Sequence, residues 1–184
     1  MRKSMTDLTS IFDENTADWF ASTLGEPTPV QKEAWPAIAG GKHTLVSAPT
    51  GTGKTLSAFL VFIDRLTRQA RAGGLPRQLQ LIYISPLKSL AADIRENLRR
   101  PLDGLAGKGG EEIEIAIRTG DTPQRDRQRM IKYPPHILIT TPESLYLMLT
   151  SKNGQGILAT AKAIILDELH ALIDTKRGAH LMLS

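Results

Sequence analysis

The octapeptide Ala48-Pro49-Thr50-Gly51-Thr52-Gly53-Lys54-Thr55 combines alternate glycines with a lysine and a hydroxyl side chain. It matches the P-loop (Walker A) pattern, with Ala48 in place of the first glycine. Such a loop has to bring several backbone N–H groups close to phosphate oxygens. Gly51 and Gly53 supply the backbone angles and the close approach. Lys54 offers a cation to the β- and γ-phosphates of a nucleotide, and Thr55 a hydroxyl to Mg2+. The plainer reading is a glycine-rich turn with an exposed lysine. It leaves unexplained the apolar run before the loop (44–48) and the apolar helical pattern after it (55–66).

Hydrolysis of a bound triphosphate needs an acid at the end of another buried strand. Ala163-Ile164-Ile165-Leu166-Asp167-Glu168 provides one. Asp167 is expected to hold Mg2+ through its water shell, and Glu168 to orient and deprotonate the attacking water. Two adjacent carboxylates can also be surface acids; the P-loop is what tips them towards chemistry. Gln31 carries two readings. Thr28-Pro29-Val30-Gln31 fits a capping box, in which the glutamine reaches back to the N-cap backbone. Its amide could equally pair with the edge of an adenine. Spacing leaves both open. His43 and His136 flank strands without a carboxylate or histidine at metal-ligand spacing and read as structural.

These groups need a frame. Residues 16–24 read as a short helix with Ala17, Phe20, Ala21 and Leu24 on one face, stopped by Gly25. A second helix starts at Thr28-Pro29 and ends at Gly40-Gly41. An alternation follows. Strands are expected at 44–48, 79–84, 113–117, 137–140 and 163–166. Helices are expected at 55–66, after Ser85-Pro86, at 123–131 and at 142–149. Loops are expected at 73–76 and 103–110. Strand and helix in alternation predict an α/β fold with a mostly parallel sheet covered on both faces. Ligands then bind beyond the carboxyl ends of the strands. The polar or glycine-containing segments 49–55, 85–87, 119–121, 140–143 and 167–170 all fall there. The helix at 123–131, with Arg125, Arg127 and Arg129 and then Lys132, could add phosphate contacts, but a solvated charged face is the favoured reading.

Composition narrows the class. The chain has 184 residues, 41% apolar and 23% charged, and a net charge of +4, compatible with a polyanionic partner without requiring one. The absence of cysteine excludes disulfides, thiolate metal sites and a cysteine nucleophile. No apolar stretch is long enough to span a bilayer, and the start of the chain lacks the apolar core of a secretory signal, so a cytoplasmic protein with no membrane partner is expected.

In order along the chain stand Phe12, Pro27-Thr-Pro-Val-Gln31, the P-loop, Ser85-Pro-Leu-Lys-Ser-Leu90, Arg118-Thr-Gly-Asp-Thr122, Thr140-Thr-Pro-Glu-Ser144 and Asp167-Glu-Leu-His170. Together they resemble the Q-motif and motifs I, Ia, Ic, Ib and II of superfamily 2, DEAD/DEAH-box-type helicases. Thr119-Gly-Asp-Thr-Pro123, Pro134-Pro-His-Ile-Leu-Ile-Thr-Thr-Pro-Glu-Ser144 and Asp167-Glu-Leu-His170 are most similar to the large helicase-related (Lhr) family. Leu169 stands where that motif usually has Val or Ile.

The resemblance implies a RecA-like first motor domain over residues 28–184, incomplete at its C-terminal end, preceded by an extension and helix at 1–27. It implies ATP and Mg2+ as ligands, with Lys54, Asp167 and Glu168 catalytic and Thr55 and Asp167 on the metal. Gln31, Pro49, Thr50, Gly51, Thr52, Gly53, Lys54 and Thr55 would contact the nucleotide, with Phe12 packing on the adenine. Ser85, Pro86, Leu87, Thr119, Gly120, Thr141, Pro142 and Glu143 would line a track for one DNA or RNA strand, and His170 would couple the ATP site to a later motif. The physical sense is that Ser85-Pro86 and Thr141-Pro142 each place an N-cap hydroxyl and a proline at a helix start, where free N–H groups favour a phosphate. Motif III, the arginine finger and the second RecA-like domain of such motors have no counterpart here, so the chain reads as part of a longer protein. A P-loop ATPase of another class, or a nucleotide- and nucleic-acid-binding piece without turnover, are the alternatives.

Overall fold

The computed structural model describes residues 8–49, 51–86, 88–105, 112–173 and 175–182. The chain divides into two compact units. One holds Met1–Leu75 and Leu98–Glu112, the other Pro76–Asn97 and Ile113–Ser184.

In the first unit the described elements are helical. Asp13 caps α1 (Glu14–Thr23), accepting from the Asn15 N–H at 3.0 Å. Thr28 and Pro29 start α2 (Pro29–Ala39) as their types predict. Helix α3 (Lys54–Arg71) follows the P-loop and runs beyond its expected end at residue 66. Phe12, Phe20, Trp35, Leu60 and Val61 share one core, with the rings of Phe12 and Phe20 edge-on to Trp35. Residues before Thr28 are thus built into the same core as α2 and α3. Buried Asp64 on α3 accepts from the Asp13 N–H at 3.0 Å. Arg71 on the same helix pairs with the Asp13 carboxylate at 2.9 Å.

The expected strand at 44–48 does not form. Residues 42–49 carry no regular structure among the described residues, and Leu45 is 84% exposed. An apolar run has strand propensity, but a strand also needs a neighbour to complete its ladder. The described elements of its own unit are all helices.

The second unit contains a four-stranded, all-parallel sheet. Its strands are β1 (Leu81–Ile84), β2 (Ile115–Arg118), β3 (Ile137–Thr140) and β4 (Ala163–Leu166), in the spatial order β2-β3-β1-β4. Continuous apolar runs mark β1 and β3 as central, and both are fully buried. At one edge, β4 leaves Ile164 56% and Leu166 44% exposed. Helices α4 (Lys88–Leu105), α5 (Gln124–Lys132) and α6 (Pro142–Leu149) follow their strands. Helix α4 continues through Pro101 to Leu105, so residues 103–105 of the expected loop are helical, and 106–110 lie outside the described residues.

Helix α7 (Lys152–Leu158) was not expected, because Gly154 and Gly156 weaken its pattern. Ser151 caps it, and a Cβ on Gly154 would meet the Met148 carbonyl oxygen at 2.2 Å. That glycine allows α7 to pack on α6. A short 3-10 turn (Leu169–Ala171) and α8 (Lys176–Met182) complete the described elements. No described helix is long and apolar enough to cross a membrane.

Candidate functional site

The P-loop is shaped by backbone angles. Gly51 and Gly53 have φ of 82° and 83°, in the left-handed region that L side chains disfavour. Gly53 is also the N-cap of α3, and a Cβ there would lie 2.7 Å from Gln31 Nε2. Gly51 has open space around it, so only its angle demands glycine. Hydroxyls tie the loop together: Thr52 donates to the Pro49 carbonyl at 2.7 Å, and Thr28 donates to the Thr52 carbonyl at 3.0 Å. The Lys54 ammonium donates to the Ala48 carbonyl, and Thr55 is exposed on the first turn of α3. Thr50 lies outside the described residues.

Gln31 forms the capping box. Its Oε1 accepts from the Thr28 N–H at 2.9 Å, and the Thr28 hydroxyl accepts from the Gln31 N–H at 3.3 Å. The residue is 4% exposed, with its amide nitrogen against the P-loop glycine. One side chain therefore joins a helix cap to the phosphate loop. Phe12 is also 4% exposed, with its ring centroid 4.9 Å from that of Trp35. Its ring packs in the core, edge-on to Trp35.

In the second unit the register builds a rim. Arg118 pairs with Thr140, Thr140 with Ile84 and Ile84 with Leu166, so all four strands end in one row. The next residues continue it: the Ser85 N–H donates to the Thr140 carbonyl and the Asp167 N–H to the Ile84 carbonyl, each at 3.0 Å. The structure thus brings together Ser85, Pro86, Thr119, Gly120, Thr141, Pro142, Glu143, Asp167 and Glu168. The hydroxyl residues Ser85, Thr119 and Thr141 are buried, whereas Gly120 is exposed and Glu143 half-buried. Thr141 accepts from the Ser144 N–H at 3.4 Å as the cap of α6. Leu87 lies outside the described residues.

The acid pair ends β4 in a constrained turn. Glu168 is the one non-glycine described residue with positive φ, at 49°. Its N–H donates to Asp167 Oδ1 at 2.9 Å, and its carboxylate lies 3.1 Å from His170 Nε2. The other Asp167 oxygen accepts from the Tyr83 hydroxyl. Burial, then the Asp167 and Glu168 carboxylates, push the Tyr83 phenol well above its ordinary range, so it stays a donor. Tyr83 was not singled out from the sequence. The available signal was a phenol within an otherwise apolar buried strand, whose hydroxyl must find a partner.

Arg127 is a second residue the sequence reading placed wrongly. Its Nε donates to the Thr122 carbonyl and its guanidinium NH2 to the Gly120 carbonyl, both at 2.7 Å. Arg118 donates to the Thr119 carbonyl at 2.9 Å, and burial, then the charge of Arg127, holds its pKa below the ordinary arginine value. The helix is only partly a solvated face: Arg129 pairs with Glu114 at 3.0 Å, while Lys132 lies over the Tyr133 ring. His136 is structural as expected, its Nδ1 accepting from the Glu114 N–H at 2.9 Å.

Comparison with known proteins bears on what these groups are. The chain is 50% identical over 180 residues to the "Lhr helicase/ probable uracil glycosylase" of Mycolicibacterium smegmatis, a match covering 94% of this chain and 12% of that protein. It is 47% identical over 183 residues to the ATP-dependent helicase Lhr-Core of Methanothermobacter thermautotrophicus, covering 97% and 21%. The chain thus spans less than a quarter of the length of either relative. Among solved structures, Mycobacterium smegmatis helicase Lhr bound to ssDNA and AMP-PNP superposes with a TM-score of 0.84 at 48% identity, over 94% of this chain and 22% of that one. The DEAD-box helicase Mss116 bound to ssRNA and UDP-BeF, at 21% identity and a TM-score of 0.80 over 100% and 36%, shares the RecA-like fold. The DEAD/DEAH box helicase family model matches residues 28–183, and the chain belongs to that family.

Proposed function

We propose that this chain is the ATP-binding first motor domain of a nucleic-acid helicase or translocase, and that hydrolysis in the whole protein drives movement along one strand. The observation that carries this reading is the in-register row of strand ends, which sets an acid pair and the Thr141-capped start of α6 on one rim. The relative solved with ssDNA and AMP-PNP supports both ligand classes. A cytoplasmic location is part of the reading.

In this mechanism the Gln31 amide reads adenine while keeping its cap. Backbone N–H groups of Gly51, Thr52 and Gly53 surround the phosphates, and Lys54 exchanges the Ala48 carbonyl for phosphate oxygens. Glu168 orients the attacking water and accepts its proton; His170, beside it, passes the state of the site onward. The chemistry of two side chains suits Mg2+: the Thr55 hydroxyl at the start of α3 in one unit, and in the other an Asp167 carboxylate oriented by Tyr83 and the Glu168 N–H, are each hard oxygen donors. When bound, the ion would neutralise charge on the phosphates. Asp167 would hold it through water. Ser85, Pro86, Leu87, Thr119, Gly120, Thr141, Pro142 and Glu143 form the track for DNA or RNA. A second RecA-like domain of the whole protein would supply an arginine to the transition state.

The test is ATP turnover by the whole protein with and without a single-stranded oligonucleotide. Turnover should rise with the strand and disappear in Lys54→Ala, while the 184-residue chain binds nucleotide with little turnover. Turnover that is independent of Lys54, or raised by a metabolite instead of a strand, would refute the reading.

A further inference from the structure

Strand β1 is paired on both sides, by β3 and β4, and Tyr83 within it is fully buried. Its register partners are Ile139 on β3 and Ile165 on β4, so the three side chains share one face of the sheet. An apolar ring suits that setting. The phenol hydroxyl is what packing does not require, and once buried it has to find an acceptor. Asp167 lies two residues beyond Ile165, and its N–H continues the ladder by donating to the Ile84 carbonyl at 3.0 Å. It therefore falls on the face of Tyr83, whose hydroxyl donates to its Oδ2. The other carboxylate oxygen, Oδ1, accepts from the Glu168 N–H at 2.9 Å. Each oxygen thus has one donor, and a quarter turn of the carboxylate would break both bonds. A carboxylate offers about four acceptor sites, so roughly half remain open to a ligand. Any residue at position 168 supplies the backbone donor; the hydroxyl is specific to tyrosine at position 83.

We propose that Tyr83 is a positioning residue for Mg2+: its hydroxyl holds the Asp167 carboxylate in one orientation before the ion and its water shell arrive. This rests on the ATP and Mg2+ reading above and deepens it with a residue that acts only through Asp167. Removing the hydroxyl has two opposed effects. The carboxylate loses an anchor, which weakens its hold on the ion. It also loses a donor, which makes it more basic and strengthens that hold. In metal sites the loss of an outer hydrogen-bond partner costs about 10–100-fold in affinity, so orientation outweighs basicity. Asp167 acts through water, and the lower end, about tenfold, is therefore expected. Tyr83→Phe is the informative change, because it deletes one oxygen atom and keeps the ring that packs in the sheet.

The experiment titrates a non-hydrolysable ATP analogue into the whole protein by calorimetry, over a series of Mg2+ concentrations and in EDTA. The unmodified protein should bind more tightly with Mg2+. Tyr83→Phe should raise the Mg2+ concentration that gives half of this gain about tenfold, with the affinity in EDTA unchanged. Strand-stimulated ATP turnover in Tyr83→Phe should fall at low Mg2+ and recover at high Mg2+. In an Asp167→Asn background, adding Tyr83→Phe should alter neither measurement further, because the two residues act as one unit. Thermal melting checks that each variant is folded at the assay temperature. An Mg2+ requirement that is unchanged or lowered in Tyr83→Phe would overturn the positioning role. Equal losses in Mg2+ and in EDTA, or a full effect of Tyr83→Phe on top of Asp167→Asn, would overturn it too, since both report damage to packing. Binding of the analogue by the unmodified protein with no gain from Mg2+, or no binding at all, would instead defeat the ATP and Mg2+ reading, and this inference with it.

Discussion

The P-loop and the rim of the parallel sheet hold polar groups in opposite ways. In the P-loop the backbone does the shaping: two glycines at positive φ, with side chains from Thr28 and Gln31 closing in on it. At the rim the sheet does the shaping. The hydroxyls of Ser85, Thr119 and Thr141 are buried, and the row exists because four strands share one register. A site built on local angles is sensitive to one added carbon. A site built on register tolerates small side-chain changes but depends on each cap.

Three predictions bear on that contrast. The largest effect is expected at Gly53. Gly53→Ala adds a Cβ that meets the Gln31 amide and strains the angle, so nucleotide affinity should fall by about 100-fold. Gly51→Ala meets only the angular cost of about 1–2 kcal/mol and should lose roughly tenfold. Calorimetric titration with a non-hydrolysable ATP analogue measures both. Equal losses at the two positions would show that Gln31 does not discriminate between them.

An intermediate effect is expected at the rim. Thr141→Val removes the cap of α6 and should cost about 1 kcal/mol of stability, while Thr141→Ser keeps it. Denaturant unfolding reads this directly. A Val variant as stable as the Ser variant would mean that register alone holds the rim.

The smallest effect lies in the α1 cap. Burial raises the Asp13 carboxyl pKa, but hydrogen bonds from Asn15 and Arg71 and the charge of Arg71 outweigh it, and the folded value is lowered. The stabilisation is therefore complete above the unfolded value of 3.8 and is lost as pH falls through the folded one. Asp13→Ala should cost about 1 kcal/mol at neutral pH, with the gap to the unmodified chain closing in acid. A gap that persists in acid would assign the loss to packing instead.

Several features were readable because their causes are local. The Thr28 cap, Pro29 at the first helical turn and the Gln31 return bond all lie within one helical turn of each other. The bounds of α6 and of β3 followed from Thr141-Pro142 and from a short apolar run between turn signals. Misreadings came where a distant partner decides. The run at 44–48 has strand composition but no ladder in its unit. Tyr83 meets Asp167 only because β1 and β4 are neighbours, 84 positions apart along the chain. Arg127 reads as one more surface charge until the preceding loop folds back beneath it.

The sequence by itself determined a glycine-shaped turn opening a helix at Gly51 to Thr55, an acid pair at the end of an apolar strand, and strands and helices alternating around a parallel sheet. These follow from residue type, φ preference and periodicity, which act over a few residues. Only the tertiary structure decided which polar groups turn inward, which side chain orients Asp167 and which arginine shapes the loop. Those outcomes depend on strand order and register, and a register is set by the sum of contacts between segments far apart in the chain.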